Sequence, residues 1–173
     1  MNNQIFFILV TLCVIAHIVR STYEILKHKK ILIPNNLSFA IIFSNMAMLW
    51  ITWFALCNYD IYKINLPIIL NYIGILLAVI GLIVFITALF TIKTLENYVG
   101  DLITKGIYSK IRHPMYLGFI LWSIGFPIYC GAVFSSILSI LFISNILFWR
   151  HLEELELEKR FPNYNDYKKN TFF

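Results

Sequence analysis

Four stretches of this chain are long and apolar enough, or nearly so, to cross a lipid bilayer, and that constrains its fold more than any other feature. They run from about Gln4 to Val19, Leu37 to Cys57, Leu66 to Ile92 and Met115 to Trp149. A membrane helix needs about 20 apolar residues, and a backbone in hydrocarbon must satisfy its own polar groups, so these stretches read as helices. The last one is too long for a single span. Pro127 and Gly131 interrupt it, and GFPIYCGAVF reads as a turn between two short helices. The expectation is an all-α polytopic membrane protein with about five transmembrane helices, the last two a tight hairpin. Composition agrees: 60% of the residues are hydrophobic and 13% charged, against about 45–50% and 25% in a soluble domain. A soluble globule of this size could not hide so much apolar surface. The first stretch has no basic start and no small-residue cleavage site, so it reads as a retained span rather than a signal peptide. Trp50 and Trp53 sit near one end of the second stretch, as interfacial aromatics do.

The placement of basic residues orients the spans. With the N-terminus outside, the inner segments are 20–36, 91–114 and 150–173. They hold every Lys and Arg except Lys63. Basic residues concentrate on the cytoplasmic side of membrane proteins, so the C-terminus is expected in the cytosol, with the protein in the cell membrane. The formal net charge of +5 then reflects this rule and anionic headgroups rather than nucleic acid. Cys13, Cys57 and Cys130 form no metal-type spacing and no even disulfide set; they read as small hydrophobes, and no metal site is expected. No repeat or linker divides the chain, so residues 1–173 read as one domain. The fifth helix is expected to leave the membrane, continue through Arg160 and stop near Pro162 as a cytosolic extension.

Two inner segments are too elaborate for connectors. GIYSKIRHPMYLG places Tyr108, Arg112, His113 and Tyr116 around Pro114, which can start a helix. Gly118 leaves room on that helix. Tyr116 falls near the helix start, where unpaired N–H groups favour anions. RHLEELELEKRFPNYNDYKK places Glu153 and Glu154 within about a turn of Trp149, followed by Tyr164 and Tyr167. Arg150 and Glu154, and Glu156 and Arg160, are spaced for helix-surface ion pairs. The hairpin should bring the segments together on one side of the membrane, with Arg112 and His113 approaching Glu153 and Glu154. Cations on one wall, carboxylates on the other and tyrosines between suit a zwitterion with an aromatic part. S-adenosylmethionine has that character: a carboxylate for a donor such as Arg112 and positive groups for carboxylates or aromatic faces.

These motifs resemble the isoprenylcysteine carboxyl methyltransferase family and its relatives, the phospholipid N-methyltransferases. The family pattern is G-x-Y-x-x-x-R-H-P-x-Y-x-G, then E-E-x-x-L, then F-x-x-Y-x-x-Y. Here it falls on Gly106, Tyr108, Arg112, His113, Pro114, Tyr116 and Gly118, then Glu153, Glu154 and Leu157, then Phe161, Tyr164 and Tyr167. The resemblance covers roughly the last 70 residues. It implies an S-adenosylmethionine site in about residues 91–173, with a lipophilic or lipid-linked acceptor entering from the bilayer. The cofactor-binding candidates are Tyr108, Arg112, His113, Pro114, Tyr116, Glu153, Glu154 and Tyr167, and Arg112 and Glu153 are the catalytic candidates. The expected role of Glu154 is to pair with Arg112 or Arg150. Prenylcysteine-like carboxylates, phospholipid amines and small hydrophobic thiols or acids all stay open as acceptors.

Two other readings stand beside this one. RHP-x-Y-x-G also has counterparts in membrane sterol reductases, which would make the cofactor a nicotinamide. A non-catalytic membrane scaffold is the third reading, but it has no use for Arg, His, Tyr and Glu gathered on one face. The glycines form no Gly-rich turn of the kind that binds cofactors in soluble folds, so a cofactor must be held by side chains.

Overall fold

The structure, a computed structural model, describes residues 2–92 and 101–173. The part of the inner 91–114 segment that falls on 93–100 lies outside the described residues. The described chain is helical: α1 (Asn2–His28), α2 (Asn36–Tyr59), α3 (Ile68–Ile92), a 3₁₀ turn (Gly106–Ser109), α4 (Pro114–Cys130), α5 (Val133–Arg160) and α6 (Tyr164–Lys169). Among the described residues α1, α2, α3 and α5 are long and apolar enough to cross a membrane, and α4 is a shorter apolar helix of 17 residues. This is a polytopic membrane protein.

Local chemistry sets the boundaries. Asn35 and Ser38 cap α2 reciprocally, each side-chain oxygen accepting the other's backbone N–H at 2.8 Å. Pro114 is the first residue of α4, where its missing N–H costs nothing. The expected break at Pro127 does not occur. Its fixed φ is helical, so the price is one bond, to the carbonyl of residue 123, and α4 runs on to Cys130. Gly131 ends it. The Gly131 N–H donates to Ile128 O and the Ala132 N–H to Pro127 O. This is the paired bonding of a Schellman turn, with Gly131 at φ +62°. The hairpin is tight, but its second arm is not short: α5 has 28 residues, about 42 Å at 1.5 Å per residue. That length carries it beyond the hydrocarbon, and it stops at Arg160, two residues before Pro162.

Antiparallel α3 and α4 meet backbone to backbone. A Cβ at Gly81 would lie 2.8 Å from Gly118 O, and one at Gly125 would lie 2.5 Å from Gly74 O. Two glycines seven residues apart on each helix therefore form the seam, in the manner of small residues in membrane bundles. Trp53 is fully buried, and Trp50 packs on Phe119 and Trp122 with ring centroids 4.8 Å away. The two tryptophans thus belong to the interior and not to an interfacial belt, because the face of α2 that carries them turns toward α1 and α4. Cys13 and Cys57 are buried and unbridged.

At one end of the bundle the α2–α3 connection pairs with the hairpin turn. Ile64 N–H donates to Gly131 O and Val133 N–H to Tyr62 O, both at 2.9 Å. The Asp60 carboxylate accepts from Tyr62 N at 2.8 Å, Ser135 N at 2.7 Å and Ser135 Oγ at 2.8 Å. At the other end lie the C-terminus of α1, the N-terminus of α4, the last turns of α5, and α6. The GIYSKIRHP and EELELEKRFPNYNDY motifs therefore share one end.

Candidate functional site

The first motif reaches the site through two short devices. The 3₁₀ turn carries Tyr108 inward, and residues 110–112 lead into α4 with buried His113 as its N-cap. This connection bridges to Phe172. Arg112 N–H donates to Phe172 O at 3.0 Å, and Phe172 N–H donates to Lys110 O at 2.8 Å.

Arg112 meets Glu154 as the motifs suggested: Nε lies 3.3 Å from Glu154 Oε1. Its Nη1 also donates to the carbonyls of Lys168, at 3.0 Å, and Thr171. The guanidinium thus ties α5 and the chain end together as well as lining a pocket. Glu154 is buried and has further partners in His113 Nε2 at 3.4 Å and Lys168 Nζ at 3.3 Å. Its pairing with Arg150, open from helix spacing, does not form; Arg150 lies under the Phe173 ring instead, 4.5 Å from its centroid.

Glu153 differs from its neighbour. Its side chain is 41% exposed, and its ion-pair contact is His113 Nδ1 at 3.9 Å. No Lys or Arg partner is seen for it among the described residues, and the Tyr116 hydroxyl is within hydrogen-bonding reach. The Tyr164 hydroxyl lies 3.4 Å from His113 Nε2, and Tyr167 donates to Tyr108 O at 2.6 Å. Burial raises the pKa of the Tyr108, Tyr164 and Tyr167 phenols, that of Tyr167 to about 12. All three stay protonated near neutrality and keep an O–H to donate. The Tyr108 hydroxyl is buried with no hydrogen-bond partner among the described residues.

Two pockets open here. The first, about 160 Å³, is polar on one side, with Tyr108, Arg112, His113, Glu153, Tyr164 and Tyr167; on the other are Leu102, Ile103, Leu157 and Phe161. The second, about 420 Å³, is an apolar slot between α1, α2, α3 and α4, walled by Phe39, Phe43, Met46, Trp50, Phe85, Leu89 and Phe119, with Tyr116 near its polar end. Lys27 and Glu153 line both. Pro114, also a candidate, is fully buried and shapes the start of α4 without lining either.

Sequence reasoning missed the contribution of α1. Arg20, Glu24 and Lys27 line the slot. Arg20 pairs with Glu24, and Lys27 Nζ lies 3.9 Å from Glu24 Oε2. The available signal was Glu24 itself, the sole carboxylate before Asp60, one turn from Arg20.

Membrane-length helices with a polar site at one end, open to an apolar slot, define the class: a polytopic helical membrane protein with a side-chain-built pocket. The sequence model of the NnrU protein family matches residues 5–171, and the chain belongs to that family. It is also similar to a Mus musculus Protein-S-isoprenylcysteine O-methyltransferase, 31% identical over 122 residues, a match covering 59% of this chain. The chain spans 40% of the length of that relative. This similarity supports the resemblance to the isoprenylcysteine carboxyl methyltransferase family.

Proposed function

We propose that this protein is a membrane-embedded methyltransferase that moves a methyl group from S-adenosylmethionine to a lipophilic acceptor. The observation that carries the reading is the meeting of a polar pocket and an apolar slot at Glu153 and Lys27. A charged, water-soluble donor and a lipid-soluble acceptor need such a junction. The similarity to a mouse enzyme named as a methyltransferase supports the reaction class. Basic residues gathered at this end of the bundle support its placement on the cytosolic side of the cell membrane. The working unit is the whole chain, with cofactor residues drawn mainly from 91–173 and one, Lys27, from α1.

The donor set fits this cofactor. Among the described residues Glu153 offers a carboxylate with no Lys or Arg partner and the Tyr108 hydroxyl has no hydrogen bond, and Leu102, Ile103, Leu157 and Phe161 supply apolar walls for an adenine ring. Bound there, S-adenosylmethionine supplies a methyl group on a sulfonium cation. Arg112 and His113, fixed by Glu154, hold the polar end, and Glu153 faces the positive charge. Tyr108 donates from the wall, with its backbone anchored by Tyr167, and Tyr116 closes the side toward the slot. The protein's work is then positioning and exclusion of water. A thioether departs neutral, so no side chain must act as acid, which accounts for a site without a nucleophile–base pair.

Calorimetry on the purified protein tests the reading. S-adenosylmethionine should bind the parent protein and lose at least tenfold in affinity to Glu153→Ala. Binding of a nicotinamide cofactor in its place would favour the reductase, and binding of neither would favour the scaffold.

A further inference from the structure

Residues 171–173 form a strap beside the polar pocket. Its backbone is committed. Arg112 N–H donates to Phe172 O at 3.0 Å, Phe172 N–H donates to Lys110 O at 2.8 Å, and Arg112 Nη1 donates to the Thr171 carbonyl. The strap is therefore part of the frame that aims the Arg112 guanidinium. Its side chains are used differently. Phe172 is 68% exposed. The Phe173 ring lies 6.1 Å from the Phe172 ring and 4.5 Å from the Arg150 guanidinium carbon. A phenyl held outward by a locked backbone has an unfavourable neighbour in water.

Its surroundings supply a better one. Arg150 directly follows Trp149, where the apolar run of α5 ends, and Lys110 lies four residues before Pro114 opens α4. Both cations thus stand where hydrocarbon gives way to headgroups. Lys168 and Lys169, close by in sequence, are paired with Glu154, Glu158 and Asp166. Lys110 and Arg150 have no carboxylate partner among the described residues. Two phenyls flanked by two such cations suit a bilayer interface, with the rings among the headgroups and the cations on lipid phosphates.

We propose that Phe172 and Phe173, with Lys110 and Arg150, dock on the anionic headgroup surface of the leaflet, and that this docking steadies Arg112; the second clause rests on the methyltransferase reading, the first does not. Lipid phosphates compensate Lys110 and Arg150, and the phenyls enter the headgroup layer. Water then competes less for the backbone bonds between the strap and residues 110 and 112. The guanidinium keeps its place against Glu154 and the carbonyls of Lys168 and Thr171. Phe172 is a positioning residue, acting on the cofactor through Arg112, and cofactor affinity follows the charge of the surrounding lipid.

The test uses the whole purified chain in nanodiscs of phosphatidylcholine, alone or with an equal part of phosphatidylglycerol. Deuterium uptake of the peptide containing Phe172 reads the docking, because that N–H bonds to Lys110 O. In the parent protein the anionic bilayer should slow this uptake at least fivefold. Lys110→Gln combined with Arg150→Gln should abolish the difference between bilayers, and Lys110→Arg combined with Arg150→Lys should keep it. Phe172→Ser leaves both cations in place and should at least halve the difference; it serves if the neutral pair fails to fold. Equal uptake by the parent protein in the two bilayers overturns the docking, as does a difference that survives loss of both cations or of the phenyl. Calorimetry with S-adenosylmethionine on the same samples reads the coupling. The parent protein should bind at least threefold more tightly in the anionic bilayer, and the Gln pair equally in both. Slowed uptake with equal cofactor affinity in the two bilayers overturns the coupling to Arg112. Slowed uptake with no cofactor binding in either removes the methyltransferase reading and leaves the docking surface.

Discussion

Each end of α5 has a buried carboxylate beside it, and the two are used differently. At the Val133 end Asp60 accepts from Tyr62 N–H and from both the backbone and the hydroxyl of Ser135. It caps α5 and binds the α2–α3 connection to the hairpin, and it lines neither of the two pockets described above. At the Arg160 end Glu154 is just as fully engaged, by Arg112, His113 and Lys168. Next to it, however, stand on pocket walls a carboxylate with no Lys or Arg partner and a phenol with no hydrogen bond among the described residues. A closed polar cluster builds structure. A cluster that holds neighbouring groups in reserve beside a cavity builds a site. Adjacent residues divide the labour: Glu154 holds the frame, and Glu153 faces the ligand.

Substitutions at the two ends can break this contrast. The largest effect is expected from Arg112→Ala. It removes a guanidinium from Glu154 and from the carbonyls of Lys168 and Thr171. Breaking a buried pair by removing one partner costs about 3 kcal/mol or more, and calorimetry should show S-adenosylmethionine affinity falling at least a hundredfold. Asp60→Ala should cost about 2–3 kcal/mol in thermal or denaturant melts, from the lost cap and orphaned donors. Its cofactor affinity should stay within twofold of the parent, because the lesion is at the far end of the bundle. A large affinity loss in Asp60→Ala would erase the distinction between the ends. Glu153→Gln should do the reverse, with about a tenfold loss in cofactor affinity, or 1.4 kcal/mol, and little change in the melt. Lys168→Ala is the smallest. Lys168 bridges Glu154 and Glu158 with its side chain 39% exposed, so it should cost less than about 1 kcal/mol.

Much of this arrangement was legible in the sequence. Hydropathy marked the membrane-length helices, since hydrocarbon leaves a spanning chain few other conformations. The two motifs and their charges put Arg112 and Glu154 at one end, where they meet at 3.3 Å. Three things were not legible, each for a physical reason. Pro127 looked like a break because helix rules for water count its lost bond, whereas the stop is the left-handed turn at Gly131. The role of the chain end was hidden because residues 110 and 112 bond to the backbone of Phe172, and backbone pairing leaves no mark on side-chain identity. The part played by α1 was hidden because its charges looked like orientation signals. Which face of α1 borders the slot depends on how α1 packs against α2 and α5, and that tertiary fact is absent from its own periodicity.

The central claim is that donor and acceptor meet where the polar pocket opens into the slot. The most direct measurement is to incubate the purified protein with methyl-labelled S-adenosylmethionine and a total membrane lipid extract, then separate the lipids. The account predicts label in a lipid fraction with the parent protein and none with Glu153→Ala or Arg112→Ala. Absence of lipid label from the parent protein, or transfer that survives both substitutions, would contradict it.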